Sequence, residues 1–482
     1  MPTHEDDGSW AVTEFAAAQL GDQRRTGRLV SLATALFKRP GASLPQACGN
    51  RAALKAAYRF FDNDAIIPQE VLQSHVASTT LRVAACRLVL APQDTTSLDW
   101  TTHPATEGLG PLGDPDHRGL FAHTTLAITP ERVPLGLLAQ QVWARDPDDV
   151  GKRQTRKHRP IEQKESHKWL LSLQAVIQVK KRCPETQFVS IGDREADVFD
   201  LFLEARPEGV DLLVRAAWNR KVVHPEGYLW DVIASQPVVK YLTVQVPRRE
   251  NQKARKASLS LRFCPVKLCP PKHRTSEQLP PVEVFAVHVL EEAPPDGIDP
   301  IEWLLLSTVP VRTVEDAIER VDWYACRWGI ELFHKVLKSG CRVEMRQLES
   351  ADALHRCLLL YSVIAWRILY AVMLSRNLPD LPCTALLDPE EWQALHCAIH
   401  RTPDVPSEPP TLRQAVHWIG RLGGFLDRKS DGEPGVTVLW KGLHSLTDLT
   451  TMYRILRPQF LVPMACRGPR WRRAAAPSSR CR

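Results

Sequence analysis

The feature that most constrains this fold is a change of rhythm near residue 85. Up to about residue 215, short Leu-rich or β-branched runs then alternate with stretches of helical spacing. Arg87–Leu90, Thr124–Ile128 and Leu135–Val142, broken by Gly and Pro, read as three strands. Lys168–Lys181 reads as a helix, Phe188–Ile191 as a buried strand, Ala196–Ala205 as a helix and Leu212–Val214 as a further strand. Strands alternating with helices call for an α/β layer whose sheet is at least partly parallel. Before this stretch, residues 10–63 look helical. Asp22 is placed to cap a helix that runs to Lys38, with Leu29, Leu32, Ala33 and Leu36 on one side. Pro40-Gly41 stops it, and a second helix spans about Ala52 to Phe61.

After residue 220 the rhythm breaks. Leu242–Val246, Ser258–Phe263 and Val282–Val289 are strand-like and separated by basic, Pro-rich turns, which suggests a β-rich insertion at about 220–302. Trp303–Leu306 returns to the sheet, and one long helix is expected from about Thr313 to Ser339. Residues 349–375 and most of the chain beyond read as helical, with turns at Gly420–Gly424 and Pro434-Gly435. The expected division is a helical domain at 1–70, an α/β domain at 71–375, a helical region at 376–466 and a basic tail at 467–482.

A chain of 482 residues exceeds what one core usually organises. Its 44% hydrophobic and 24% charged residues exclude a disordered polymer. The net charge of +7 permits a polyanionic partner without demanding one. Basic residues cluster at Arg24–Arg28, Lys152–Arg159, Arg248–Lys256 and Arg467–Arg473. The 12 cysteines show no framework spacing, and neither the Cys264/Cys269 pair nor the His396, Cys397, His400 group has a second ligand pair. Reduced structural thiols in a cytoplasmic protein are expected. Residues 1–15 are acidic and lack the apolar core of a secretory signal. The apolar run Leu358–Leu374 carries Ser362 and Arg367 and reads as a buried helix, so no membrane partner is expected.

The chemistry is sought on the long helix. Tyr324, Arg327, Glu331 and Lys338 fall within one stripe roughly 60° wide at helical spacing. Trp323, Cys326, Ile330, Phe333 and Leu337 form a separate, apolar face, and His334 lies toward it. A carboxylate flanked by cations and a phenol suits a metal beside phosphates. A surface ladder pairing Glu331 with Lys335 or Lys338 satisfies the same spacing. Asp94 follows the run ending at Leu90, where an Asx turn would also place it. Asp193 follows Phe188–Ile191, where a helix cap would also place it. Ligands of α/β sheets collect at the carboxyl ends of strands. Two such Asp with one helix Glu could hold two divalent ions about 4 Å apart.

The Tyr324, Arg327, Glu331, Lys338 pattern resembles the hallmark of the insertion-sequence-four family of bacterial DDE transposases, the family of the transposon-five transposase. The segments PQDTTSLDW around Asp94 and SIGDREADVFDL around Asp193 are similar to that family's two aspartate motifs. LGDQRRTGRLV and ALKAAYRFFDN resemble its N-terminal DNA-binding module, and WIGRLGGFLDRKSDGEPG resembles its C-terminal region. The resemblance implies an RNase H-like core with a β-rich insertion before the glutamate helix, an N-terminal helical DNA-binding domain and a C-terminal helical dimerisation region. It implies Asp94, Asp193 and Glu331 as catalytic ligands of Mg²⁺ or Mn²⁺, with two ions per site. Tyr324, Arg327, Lys338 and Arg215 would contact DNA phosphate, Trp303 would stack on a flipped base, and Arg24, Arg28 and Arg59 would touch the element end. A core-edge salt bridge also suits Arg215, sheet packing suits Trp303, and a solvated helix face suits the three N-terminal arginines. The implied partners are double-stranded element ends, target DNA and a second copy of the chain. The implied reaction nicks the element end, forms and reopens a hairpin, and joins the 3′-hydroxyl to target DNA. An inactive, end-sequestering DNA-binding protein is one alternative, and a stand-alone RNase H-like nuclease without joining activity is a second.

Overall fold

The computed structural model describes residues 10–114, 116–149, 159–223, 227–246 and 254–456. Among the described residues five helices come first: α1 (Trp10–Phe15), α2 (Gln23–Lys38), α3 (Leu44–Cys48), α4 (Arg51–Phe61) and α5 (Pro68–Ala84). The Asp22 carboxylate accepts from the Arg24 backbone N–H at 2.8 Å and so starts α2, whose Leu29, Leu32, Ala33 and Leu36 are buried as their spacing required.

The strands are β1 (Leu88–Asp99), β2 (Gly110–Pro111), β3 (Arg118–Ile128), β4 (Pro134–Trp143), β5 (Gln187–Gly192), β6 (Val210–Arg215), β7 (Lys240–Val246), β8 (Arg255–Leu268), β9 (Val282–Leu290) and β10 (Glu302–Ser307). They form one mixed sheet in the order β2-β3-β1-β5-β6-β10-β9-β8-β7, with β4 also on β3. β1, β5 and β6 are mutually parallel, and the remaining pairings are antiparallel. The crossover helix α6 (His167–Arg182) buries Trp169, Leu173 and Val176 against one face, beside Val89, Ala91 and Phe188. Alternate residues Leu90, Val189, Ile191 and Leu213 point to the other face and meet Val321, Trp323 and Tyr324.

Four expectations change. The expected helix Ala196–Ala205 is a short 3₁₀ turn, Arg194–Ala196, followed by α7 (Phe199–Leu203). The segment 220–302 contains a helix, α8 (Leu229–Ala234), and its strands are no separate body. They extend the sheet beyond β10, because the free backbone edge of β10 is satisfied by β9. The long helix is broken into α9 (Val314–Ala325), α10 (Trp328–Lys335) and a π-helical turn, Val336–Gly340. β1 runs well past Leu90 because β3 pairs with it as far as Asp99.

α11 (Ala351–Asn377) is long and apolar enough to span a membrane, but it is buried here against α5, β4 and α2 and against the C-terminal helices. Those helices are α12 (Pro389–His400), α13 (Leu412–Leu422) and α14 (Val436–Leu456). Two buried arginines tie the N-terminal helices to the rest. Arg346 donates to the carbonyls of Pro40, Ala42 and Cys341. Arg356 donates to Phe61 O and Ile66 O, both at 2.9 Å, and to Asp64. Each charged hydrogen bond of this kind contributes about 1.5–3 kcal/mol. The basic stretches 152–158, 248–253 and 467–473 lie outside the described residues. Arg255, at the end of one of them, is ion-paired with Glu291.

Candidate active site

Asp94 does not follow the end of a strand, as its distance from Leu90 suggested. It lies within β1, paired with Thr124 of β3. Relative to β5, however, it stands just past the last paired residues, Pro92 and Ile191. It is therefore at the carboxyl end of the parallel ladder, where the chain leaves one neighbour and keeps the other. Asp193 follows β5 directly. Its carboxylate accepts from Glu195 N at 2.8 Å, so it caps the short turn that replaces the expected helix. Gly192 permits this turn, because a Cβ there would come within 2.2 Å of the Ala196 Cβ.

α10 brings the third carboxylate. Arg327 sits at the break between α9 and α10, with one arm 3.5 Å from Asp94 and the other 2.6 Å from Glu331. Glu331 thus pairs with Arg327, and not with Lys335 or Lys338. Burial, followed by the nearby Asp193 and Glu331, pushes the Asp94 carboxyl up to about 6, against the lowering effects of the Thr95 N–H and Arg327. Asp94, Asp193 and Glu331 therefore share one electrostatic neighbourhood.

The helix stripe does not stay on one edge. Tyr324 is buried in the core, its ring edge-on to Trp303 with centroids 4.9 Å apart. Burial, and then Asp193, raise its phenol, while Arg327 and Arg215 lower it. Arg215, half-buried at the end of β6, donates to Glu302 O at 2.6 Å and forms no core-edge salt bridge among the described residues. Burial holds its guanidinium below the ordinary value. Lys338, on the π turn, donates to Ser97 O at 2.9 Å and pairs with Glu344 at 3.2 Å. It reaches the far end of β1, not Glu331. Trp323, Cys326, Ile330, Phe333 and Leu337 are buried as their spacing required. His334 is buried with them, which pushes its imidazole down to about 3.

Arg24, Arg28 and Arg59 are not brought to this cluster. They lie on α2 and α4, where Arg24 is exposed and paired with Asp22 at 2.9 Å, Arg28 is half-buried and Arg59 is exposed. Cys264 is buried on β8, and burial pushes its thiol up to about 11.

The sequence reading missed the residues that hold the site in place. Asp197 is fully buried, accepts from Ala217 N at 2.8 Å and Trp218 N at 3.0 Å, and pairs with Arg220 at 2.7 Å. It clamps the turn after β5 to the turn after β6. Beneath Asp94, Gln93 donates to Ser190 Oγ at 2.6 Å, and Thr95 Oγ1 lies 2.9 Å from His123 Nδ1. These pairs fix β1 against β5 and β3. Asp197 falls four residues after Asp193 in the motif, a position that its own spacing could have flagged.

Hard carboxylate oxygens that repel one another are suited to a divalent cation. As the side chains stand, no group of three His, Cys, Asp or Glu among the described residues encloses a metal position. Arg327 lies between Asp94 and Glu331, and Asp193 is turned toward its own backbone. The donor chemistry fits a cation, and Arg327 holds the place of positive charge between two of the donors. In comparisons with known families, residues 7–66 match the model described as transposase DNA-binding. Residues 363–458 match the transposase Tn5 dimerisation domain, and the two matches together support a Tn5-like transposase that binds DNA and forms a homodimer.

Proposed function

We propose that this protein is a metal-dependent DDE transposase of the insertion-sequence-four type with an RNase H-like core. The observation that carries this reading is the meeting of Asp94 and Glu331, remote in sequence, at the Arg327 guanidinium, with Asp193 close enough to act on Asp94. The strand order β4-β3-β1-β5-β6, three antiparallel strands followed by two parallel ones, supports the RNase H-like reading. Asp94, Asp193 and Glu331 would hold Mg²⁺ or Mn²⁺, two ions in the full site. The bound metal would activate the attacking oxygen and stabilise the leaving one.

The chain's own groups bind and orient the DNA. Arg327 and Arg215 offer guanidinium forks for phosphate oxygens beside the carboxylates, and Lys338 offers a third cation farther along β1. Tyr324 acts by packing under Trp303 and lying beside both arginines. Trp303, half-buried at the start of β10, keeps part of its ring available for an unpaired base. Arg24, Arg28 and Arg59 would contact the element end from α2 and α4. In the first step water adds to a phosphodiester and the P–O3′ bond breaks, leaving a 3′-hydroxyl and a 5′-phosphate. That hydroxyl then attacks a phosphodiester of the opposite strand, closing the element end as a hairpin and displacing the flanking DNA with a 3′-hydroxyl. A second water reopens the hairpin, and the 3′-hydroxyl finally attacks a target phosphodiester, displacing a target 3′-hydroxyl. Two copies, paired through the C-terminal helices, would hold two ends in a synapse.

The test is cleavage of a labelled duplex carrying the element's own end, with Mg²⁺, with EDTA and with Glu331→Ala. Asp94→Ala and Asp193→Ala complete the set. Metal-dependent nicks and hairpins, lost in each variant while duplex binding persists, are the expected result, because these carboxylates do not position the duplex. Binding by the unaltered protein without any metal-dependent break would overturn the reading in favour of an end-sequestering protein.

A further inference from the structure

A cleft of about 490 Å³ opens where helices from the two ends of the chain meet. Trp10 and Lys38 line it from α1 and α2, Arg82 from α5, Arg367 and Tyr370 from α11, and Arg454 from α14. Most of its charges are already matched. Arg82 donates to Glu14 at 2.7 Å, Glu14 also meets His75 at 2.6 Å, and Arg454 is paired with Glu390. Glu391 accepts from the Asp388 N–H at 3.0 Å as part of a helix cap.

Arg367 is different. Its Nε is buried and has no hydrogen-bond partner, and among the described residues the guanidinium makes neither an ion pair nor a hydrogen bond. Its contacts are to the faces of Tyr370, at 5.7 Å, and Trp10, at 5.9 Å. Ring faces satisfy part of a cation's charge but none of its N–H donors. A buried donor left without an acceptor is costly, and a guanidinium fork is shaped for a two-oxygen anion. The cleft lies within the size range of small-ligand sites and carries flat aromatic walls and cations, with the carboxylates of Glu14, Asp388 and Glu391 also on its lining.

We propose that this cleft is a binding site for a nucleoside phosphate, with Arg367 receiving the phosphate, Lys38 assisting, and Trp10 and Tyr370 facing the base. The ligand would bridge the N-terminal helices and the C-terminal helices, a role independent of strand cleavage in a cleft that none of Asp94, Asp193 and Glu331 lines. The probes are AMP, inorganic phosphate and adenosine, titrated calorimetrically into the full chain. AMP and phosphate are expected to bind saturably, and adenosine much more weakly. Arg367→Met should weaken AMP binding by at least about tenfold, since charge-assisted bonds are lost. Arg367→Lys should keep part of the affinity, because charge is retained without the fork.

Circular dichroism establishes that each variant is folded. Should Arg367→Met fail to fold, Lys38→Gln and Tyr370→Leu carry the test, and unchanged AMP affinity in both overturns the proposal. Failure of AMP and phosphate to bind the unaltered chain, or equal binding by Arg367→Met, also overturns it. A duplex oligonucleotide gives the remaining arm. Loss of duplex affinity in Arg367→Met, with no AMP binding by the unaltered chain, would assign Arg367 to DNA instead.

Discussion

Asp197 offers the sharpest test of how the site is held. Its carboxylate is fully buried and accepts four bonds: from Ala217 N at 2.8 Å, Trp218 N at 3.0 Å, Arg220 Nε at 2.9 Å and Arg220 Nη2 at 2.7 Å. Asp197→Ala removes all four and leaves two amides and a largely buried guanidinium without their acceptor. Breaking one side of a buried pair costs about 3–5 kcal/mol. Arg220 also donates to Asp197 O at 2.6 Å, a bond the substitution spares, so the lower half of that range is expected. Asp197→Asn keeps an amide-accepting oxygen and should lose less. The double variant Asp197→Leu with Arg220→Met removes both charges together and should recover much of the loss. Urea unfolding of these proteins gives the free energies, and the cycle of the parent, Asp197→Leu, Arg220→Met and the double variant gives the coupling. A loss below about 1 kcal/mol in Asp197→Ala, or no recovery in the double variant, would refute a buried clamp between the turns after β5 and β6.

Two further predictions bear on Asp94 and Trp303. The Asp94 carboxyl, raised to about 6 from an ordinary 3.8, is favoured in its neutral form by the fold. In EDTA, its contribution to stability should be fully present below pH 4 and lost as pH rises through 6, about 3 kcal/mol in all. Asp94→Asn should therefore be the more stable protein at pH 7 and gain nothing at pH 4; a pH-independent difference in unfolding midpoint would refute this. Trp303→Ala should slow hairpin formation more than first-strand nicking in a time course on end-labelled duplex, whereas equal loss in both steps would assign the ring to packing against Tyr324.

Much of the fold was legible in the sequence because it rests on local periodicity. The α2 cap at Asp22, the buried stripe Leu29 to Leu36, the crossover helix α6 and the central strands each follow from spacing that a short window contains. So do the apolar face of Trp323 to Leu337 and the burial of His334. What the sequence could not fix depends on groups far apart in the chain. β1 extends to Asp99 because β3 pairs with it, and β9 to β7 continue the main sheet because β10 has an edge to fill. The single helix expected from Thr313 to Ser339 breaks at Arg327 and ends in a π turn, where Gly340 leaves room for the Trp440 ring from α14. That break changes the facing of the stripe, so Tyr324 enters the core, Arg327 and Glu331 face Asp94, and Lys338 reaches Ser97. Helical spacing determined which residues could share a face. Tertiary packing decided where each one points, because the cost of burial and the pairing of distant backbone edges are set only when the whole chain has closed.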